Sequence, residues 1–291
     1  MRTIWRTTAY LFWQHPILWL PVILADLIAF CLRLLQGWMT HAVINSLLVE
    51  HSVLSSNPEP LQTLPVAWAA AFGASRLLVE FLNLCLYATA MVAISILIPA
   101  LIAQTKKPWQ QVPVAVKRLR VQTLLLSMKI FGMLLVAMFL NIELMAYLPR
   151  LHFFQMQSTF DGLRDQSIAL IAVLFGAIAW LLAPSAVAIL RPPESLPRDA
   201  SSLRQGRNFA AISVLASVAI YFLTTVVAPS FVPLLRIAFG MQFFWAVASA
   251  ASALPYIPLF IAFYLIANPD TLLALTPSAE AATDTPPEAT L

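Results

Sequence analysis

The sequence contains little charge. Asp, Glu, Lys and Arg make up 10% of its 291 residues, whereas about 25% is usual in soluble domains. Because 60% of the residues are hydrophobic, so few charged side chains leave a globular protein of this length with too much apolar surface to stay soluble. The composition therefore excludes a soluble enzyme and a disordered chain, and it predicts a protein that lies in a bilayer.

Two further absences limit the chemistry. The two cysteines, Cys31 and Cys85, lie far apart in apolar stretches, which excludes a disulfide scaffold and a metal site built on clustered thiols. The chain also lacks a Walker loop and the G-x-S-x-G, H-E-x-x-H and C-x-x-C motifs. We therefore expect a non-enzymatic protein with no catalytic residue, no metal and no cofactor.

The net charge of +4 is by itself compatible with binding to nucleic acid. The basic residues, however, lie in short clusters between apolar segments, an arrangement typical of cytoplasmic loops beside anionic lipids. We therefore expect the bilayer and anionic lipid headgroups as partners, and no nucleic acid. A membrane protein partner or a homo-oligomer stays open.

Six apolar segments are long enough to cross a bilayer as helices, which takes about 20 residues each. None has the alternating pattern of barrel strands. The sequence therefore predicts an all-α integral membrane protein, a bundle of six transmembrane helices within residues 1–267, with residues 66–80 assigned either to the interface or to the second span. The predicted spans lie near residues 16–36, 79–103, 122–146, 167–190, 209–233 and 237–267.

The distribution of Lys and Arg predicts the orientation. Eleven of them lie in the N-terminal segment and in the loops after the second and fourth spans, and three lie in the loops on the other side. The positive-inside rule then places both termini in the cytoplasm of a bacterial-type inner membrane. Short basic segments before the first, third and fifth spans predict amphipathic lead-in helices. The segment 268–291, rich in Pro, Ala and Thr, predicts a disordered cytoplasmic tail.

Charged residues within spans are the strongest functional indication, because each costs about 2.5–3.5 kcal/mol at a helix centre. At 1.5 Å per residue, Asp26 lies about 15 Å and Lys129 about 10 Å from the cytoplasmic ends of their spans. The long lysine side chain bridges that difference, so we predict an intramembrane polar pair, Asp26–Lys129. Other charges near the outer ends of the spans predict an outer charged cluster, composed of Arg33, Arg76, Glu80 and Glu143.

Two interpretations of the polar pair stay open. Asp26 is either part of a polar clasp that fixes helix packing or a residue that couples transport to proton or substrate binding. We favour the clasp, because paired intramembrane charges often serve assembly. Pro255 and Pro258 fall near the centre of the last predicted span and predict a helix kink, a feature that occurs at transporter binding sites as well as in plain packing.

The N-terminal segment joins an aromatic and basic stretch to a His-Pro step: Trp5, then Tyr10-Leu11-Phe12-Trp13-Gln14-His15-Pro16-Ile17-Leu18-Trp19-Leu20-Pro21. This segment resembles the start of bacterial six-span membrane proteins of unknown function, including the membrane domain of some glycerophosphodiester phosphodiesterases. The resemblance implies an accessory membrane domain. It does not carry over the activity of those enzymes, because the chain lacks room for their barrel-type catalytic domain.

The sequence thus favours a multi-pass membrane protein that acts as a non-enzymatic packing or partner-binding module. The alternative is a small transporter or permease for an amphiphilic or lipid-like solute, with Asp26 as the coupling residue. A membrane-embedded lipid enzyme is the least favoured hypothesis. A water-accessible cavity near Asp26 is the feature expected of transport, whereas a closely packed polar pair is the feature expected of a module.

Overall fold

The computed structural model describes residues 2–54, 66–105, 107–147, 160–191, 200–224, 247–248 and 250–275. All regular secondary structure in these residues is helical, as the sequence predicts. Short 3-10 turns at Pro16–Trp19 and Pro108–Gln111 lead directly into the second and fourth helices. The helices are α1 (Arg2–Gln14), α2 (Leu20–Leu54), α3 (Val66–Ile102), α4 (Val112–Tyr147), α5 (Phe160–Ile189), α6 (Ala200–Phe222) and α7 (Tyr256–Ala267).

Within the described residues, five helical segments are long and apolar enough to cross a membrane. The fifth predicted span, 209–233, is described only as far as residue 224, because residues 225–246 lie outside the described residues. The predicted count of six spans is therefore not established. The helix that contains the second predicted span is longer than 79–103, because residues 66–80 belong to the same continuous helix. The five segments are Pro16–Thr40, Gly73–Ile102, Pro108–Leu140, Ala172–Ile189 and Ala250–Ala267.

Consecutive helices pack on one another from α2 to α6, and α7 contacts α1, α3, α5 and α6. The segment Tyr256–Ala267 carries apolar side chains on every face, and all but its first residue and Pro258 are buried. A helix that is apolar all round suits the interior of a protein or a bilayer, and α7 occupies the interior of this bundle. The apolar side chains that α2 and α4 leave exposed, such as Leu27 and Phe139, suit contact with lipid.

The lead-in segments differ from the prediction in two of three cases. The basic segments before the third and fifth predicted spans are the first turns of α4 and α6, not separate helices. Pro113 does not interrupt α4, since a proline in the first helical turn removes no intrahelical hydrogen bond. The first lead-in is the separate helix α1, which buries Ile4 and Leu11 and stacks Trp5 on Phe209 of α6 with 3.8 Å between ring centroids.

The first part of the segment predicted as a disordered tail, 268–291, is ordered. Residues 269–275 are helical, because Leu272 and Leu275 pack against the core and the Asn268 carbonyl accepts a hydrogen bond from the Thr271 amide at 3.2 Å. The rest of the predicted tail, residues 276–291, lies outside the described residues.

Candidate functional site

A partly open cavity of about 370 Å³ lies among the helices α2 to α7. Its walls are mostly apolar, and its volume falls at the lower end of the range of about 300–1,000 Å³ that is usual for small-molecule sites. The side chains that form the apolar part include Met91, Leu126, Phe175, Leu182, Phe260 and Phe263.

Small side chains on α5 leave the space for this cavity. Ala179, Ala183 and Ala186 all line it, and their spacing places them on one face of the helix. Ala210 of α6 lines it as well. A larger apolar residue at any of these positions would fill part of the space, so the cavity follows from the choice of alanine on these two helices.

One end of the cavity is polar, and it is lined by Arg33 of α2 together with Glu80 and Asn83 of α3. Arg33 Nη2 lies 3.3 Å from Glu80 Oε2 and forms an ion pair with it. Asn83 Nδ2 donates a hydrogen bond to the same oxygen at 3.2 Å. Because the Arg33 and Glu80 side chains are 43% and 47% exposed, the pair contributes modestly to stability and stays accessible to a ligand.

Asp26 lies on α2 seven residues, or about 10 Å, before Arg33, and it is not among the residues that line the cavity. It is buried, and its Oδ1 accepts a hydrogen bond from the Tyr87 hydroxyl at 3.1 Å. The Tyr87 ring lies 5.4 Å from the Tyr256 ring of α7, and both tyrosines line the cavity. This hydrogen bond, hereafter the Asp26–Tyr87 clasp, joins α2 to α3.

Asn83 has one polar atom that the described residues leave unsatisfied. The residue is 3% exposed, and its Oδ1 has no hydrogen-bond partner among them. Its amide orientation is fixed, because exchanging the two ends of the side chain would place an oxygen against the Glu80 carboxylate. Asn83 therefore lines the polar end of the cavity and contains a buried acceptor atom without a partner among the described residues.

The structure brings some of the predicted site residues together. Arg33 and Glu80 of the outer charged cluster form an ion pair, whereas Arg76 lies exposed one turn earlier on α3. Glu143 belongs to α4, but its side chain lies outside the described residues. Lys129 is exposed on α4, and the hydroxyl found on Asp26 is that of Tyr87, so the Asp26–Lys129 pair stays a prediction.

The helix break predicted from Pro255 and Pro258 coincides with the start of α7. Residues Leu254 and Pro255 form a turn, and α7 begins at Tyr256. Pro258 lies in the first turn of α7, where the missing amide hydrogen has little effect. The Ser217 hydroxyl of α6 donates a hydrogen bond to the carbonyl of Ser252, just before the break, at 2.7 Å.

Tyr87 and Tyr256 were not identified from the sequence, although both line the cavity. Their phenol groups carry no charge, so a search for intramembrane charges passes over them. Spacing offered one signal for Tyr87: it follows Glu80 by seven residues and Asn83 by four, which places all three on one helix face. For Tyr256 the only signal is its position beside Pro255.

Within the described part of the chain, no three His, Cys, Asp or Glu side chains come together as metal ligands. The cavity is an apolar chamber with one polar end. No family model, curated protein or solved structure matches the chain, and the resemblance of the N-terminal segment to six-span bacterial proteins stays a prediction.

Proposed function

We propose that this chain is a non-enzymatic multi-pass membrane protein that binds a lipid-like, single-chain amphiphile in the cavity between its helices. The several long apolar helices are compatible with a membrane protein. The observation that carries the proposal is the cavity itself, which has apolar walls from α3 to α7 and the Arg33–Glu80 pair at one end.

The dimensions of the cavity support one apolar chain as the occupant. A volume of about 370 Å³ is at the lower end of small-molecule sites, whereas a lipid with two chains needs a larger space. Apolar side chains such as Leu126, Phe260 and Phe263 offer contact to a hydrocarbon chain. A charged or hydrogen-bonding head group would then lie beside Arg33, Glu80 and Asn83.

A packing or partner-binding module is the second candidate, and the Asp26–Tyr87 clasp favours it. Asp26 is held by a neighbouring helix, which is the expected position of an assembly residue. The same contact makes Asp26 less suited to be the coupling residue of a transporter, because Tyr87 lines the cavity and Asp26 does not. Binding of a solute and a structural role for Asp26 are compatible with each other.

The test is competitive binding of a fluorescent single-chain amphiphile to the purified full chain in lipid nanodiscs. Ala179→Phe places a ring in the cavity, and we expect a loss of affinity of about tenfold, corresponding to roughly 1.4 kcal/mol of steric cost. Ala177→Phe is the matched control, because Ala177 lies two residues earlier on α5 and is exposed. Equal affinities for the two variants and the unchanged protein would contradict the proposal.

A further inference from the structure

We propose that one face of α4 binds the head group of an anionic, two-chain phospholipid of the surrounding bilayer. This face, hereafter the Lys129 face, consists of Arg118, Gln122, Leu125 and Lys129, and all four residues are exposed. None of the four lines the cavity, so the inference goes beyond the proposed function and does not rest on it.

The polar residues of the Lys129 face share one side of α4 because of their spacing. Gln122 lies seven residues and Arg118 eleven residues before Lys129, which correspond to about two and three helical turns. At about 1.5 Å per residue, Lys129 lies roughly 10 Å from Gln122, and Gln122 roughly 6 Å from Arg118. Two basic groups and one amide are therefore aligned where α4 passes from its basic first turns into its apolar part.

Lys129 faces away from the bundle. It is the one charged residue of the stretch 121–140, and a charge at such a position in a span is costly unless it has a partner. Lys129 is exposed, and among the described residues it forms no ion pair. Its neighbours Met128 and Val136 are exposed and apolar, and a Cβ added at Gly132 would contact no other described helix within 4 Å. Lys129 therefore faces the bilayer, and its charge needs a partner there.

The direction of the lysine side chain brings its charge toward the rest of the face. Helical side chains lean toward the N-terminus of their helix, and in α4 that end carries Lys117, Arg118 and Arg120. A lysine that leans this way moves its ammonium group toward the lipid head groups, while its methylene chain stays among the hydrocarbon tails. A phosphate beside Gln122 would then be contacted by Arg118 from one side and by Lys129 from the other.

Charge favours a lipid over a second copy of the chain as the occupant. The helix α4 contains four basic residues and one acidic residue, Glu143, which lies about 21 Å beyond Lys129. If two copies met at this face around a two-fold axis along the membrane normal, their Lys129 side chains would lie at the same depth and repel. A phospholipid instead offers a phosphate to the basic groups and hydrocarbon chains to Leu125 and Met128.

The charge of the lipid follows from the same residues. The Lys129 face carries two positive charges, those of Arg118 and Lys129, and no carboxylate. A zwitterionic head group would bring a cation next to these two basic groups, which is unfavourable where the dielectric constant is low. We therefore expect a head group with a net negative charge.

The experiment is native mass spectrometry of the purified full chain in detergent, titrated with phosphatidylglycerol or with phosphatidylcholine of the same two chains. We expect the unchanged protein to bind phosphatidylglycerol about fivefold more tightly or better. Lys129→Met removes the charge and should lower phosphatidylglycerol affinity about fivefold, with phosphatidylcholine affinity changed by less than about twofold. Lys129→Arg keeps the charge and should retain the preference.

Three further variants complete the design. Arg118→Gln should also lower phosphatidylglycerol affinity about fivefold, so it tests the face even if Lys129→Met fails to fold. Lys107→Met is the matched control: it removes the same charge from the exposed loop before α4, where salt screens it, and should lower the affinity by less than about twofold. Ala179→Phe fills the cavity and should leave phosphatidylglycerol affinity unchanged.

Four outcomes would overturn the inference. The first is equal affinity of the unchanged protein for the two lipids. The second is an equal loss in Lys129→Met and Lys107→Met, since binding would then follow net charge alone. The third is a loss of phosphatidylglycerol affinity in Ala179→Phe, which would place the lipid in the cavity. The fourth is a bound membrane protein or second copy that Lys129→Met releases while phosphatidylglycerol affinity stays unchanged, which would assign the face to a protein contact.

Discussion

The Asp26–Tyr87 clasp should contribute measurably to the stability of the helix bundle. Tyr87→Phe removes the donor and leaves Asp26, which is 8% exposed, without that hydroxyl. Hydrogen bonds to charged groups contribute about 1.5–3 kcal/mol in soluble proteins, whereas those between membrane helices average about 0.6 kcal/mol and reach about 1.7 kcal/mol. Because Asp26 is buried, we expect the upper part of the membrane range, a loss of about 1–1.7 kcal/mol in the free energy of unfolding.

The assay is reversible unfolding in mixed micelles, followed by circular dichroism, on a double-mutant cycle. The cycle contains the unchanged protein, Asp26→Ala, Tyr87→Phe and the double variant, and we expect a coupling energy of about 1 kcal/mol. Tyr10→Phe is the control: it removes a hydroxyl from α1, outside the clasp, and should change stability by less than about 0.5 kcal/mol. A coupling energy of zero would refute the clasp. Normal stability combined with lost solute transport would instead support the coupling role of Asp26.

Three further predictions concern other parts of the bundle. Lys129→Met should change the free energy of unfolding by less than about 0.5 kcal/mol, since Lys129 is exposed; a loss like that of Asp26→Ala, measured in the same assay, would reveal the Asp26–Lys129 pair. Ser217→Ala should lower the free energy of unfolding by about 1 kcal/mol, and Ser213→Ala, one turn earlier, should lower it less; both are measured in the same assay. Reporter fusions after Asn57 and Leu291 should report outside and inside, respectively; an external reporter at Leu291 would contradict the predicted orientation.

The helices were predictable from the sequence, because each apolar stretch must satisfy its backbone hydrogen bonds within itself in a bilayer. The end of α3 nearest Val66 was less certain, since Arg76 and Glu80 suit both an interfacial segment and a span. The central position of α7 could not be predicted. The uniform apolarity of α7 indicates burial, but residues 79–103 are nearly as apolar. Which helix lies at the centre of the bundle depends on contacts between residues distant in sequence.

The contacts in the candidate site could be predicted from the sequence only in part. Counting residues along a helix gives the depth of a side chain in the membrane, and depth correctly placed Arg33 and Glu80 at the same level. It does not give the direction in which a side chain leaves the helix axis relative to its neighbours. Depth predicts the Asp26–Lys129 pair, which stays a prediction, but it gives no indication of Tyr87, an uncharged residue whose hydroxyl contacts Asp26.

The break at Pro255 connects the position of α7 with the cavity. At about 1.5 Å per residue, the 12 residues of α7 extend about 18 Å, which is shorter than the hydrocarbon core of about 30 Å. The candidate span Ala250–Ala267 includes residues before the break. Pro255 has no amide hydrogen to offer the carbonyl of Ala251, which accepts a hydrogen bond from the Leu254 amide at 3.3 Å instead. The next carbonyl, that of Ser252, accepts a hydrogen bond from the Ser217 hydroxyl of α6. This hydrogen bond from α6 stabilises the segment just before the break, and α7 begins after the break with Tyr256, which lines the cavity.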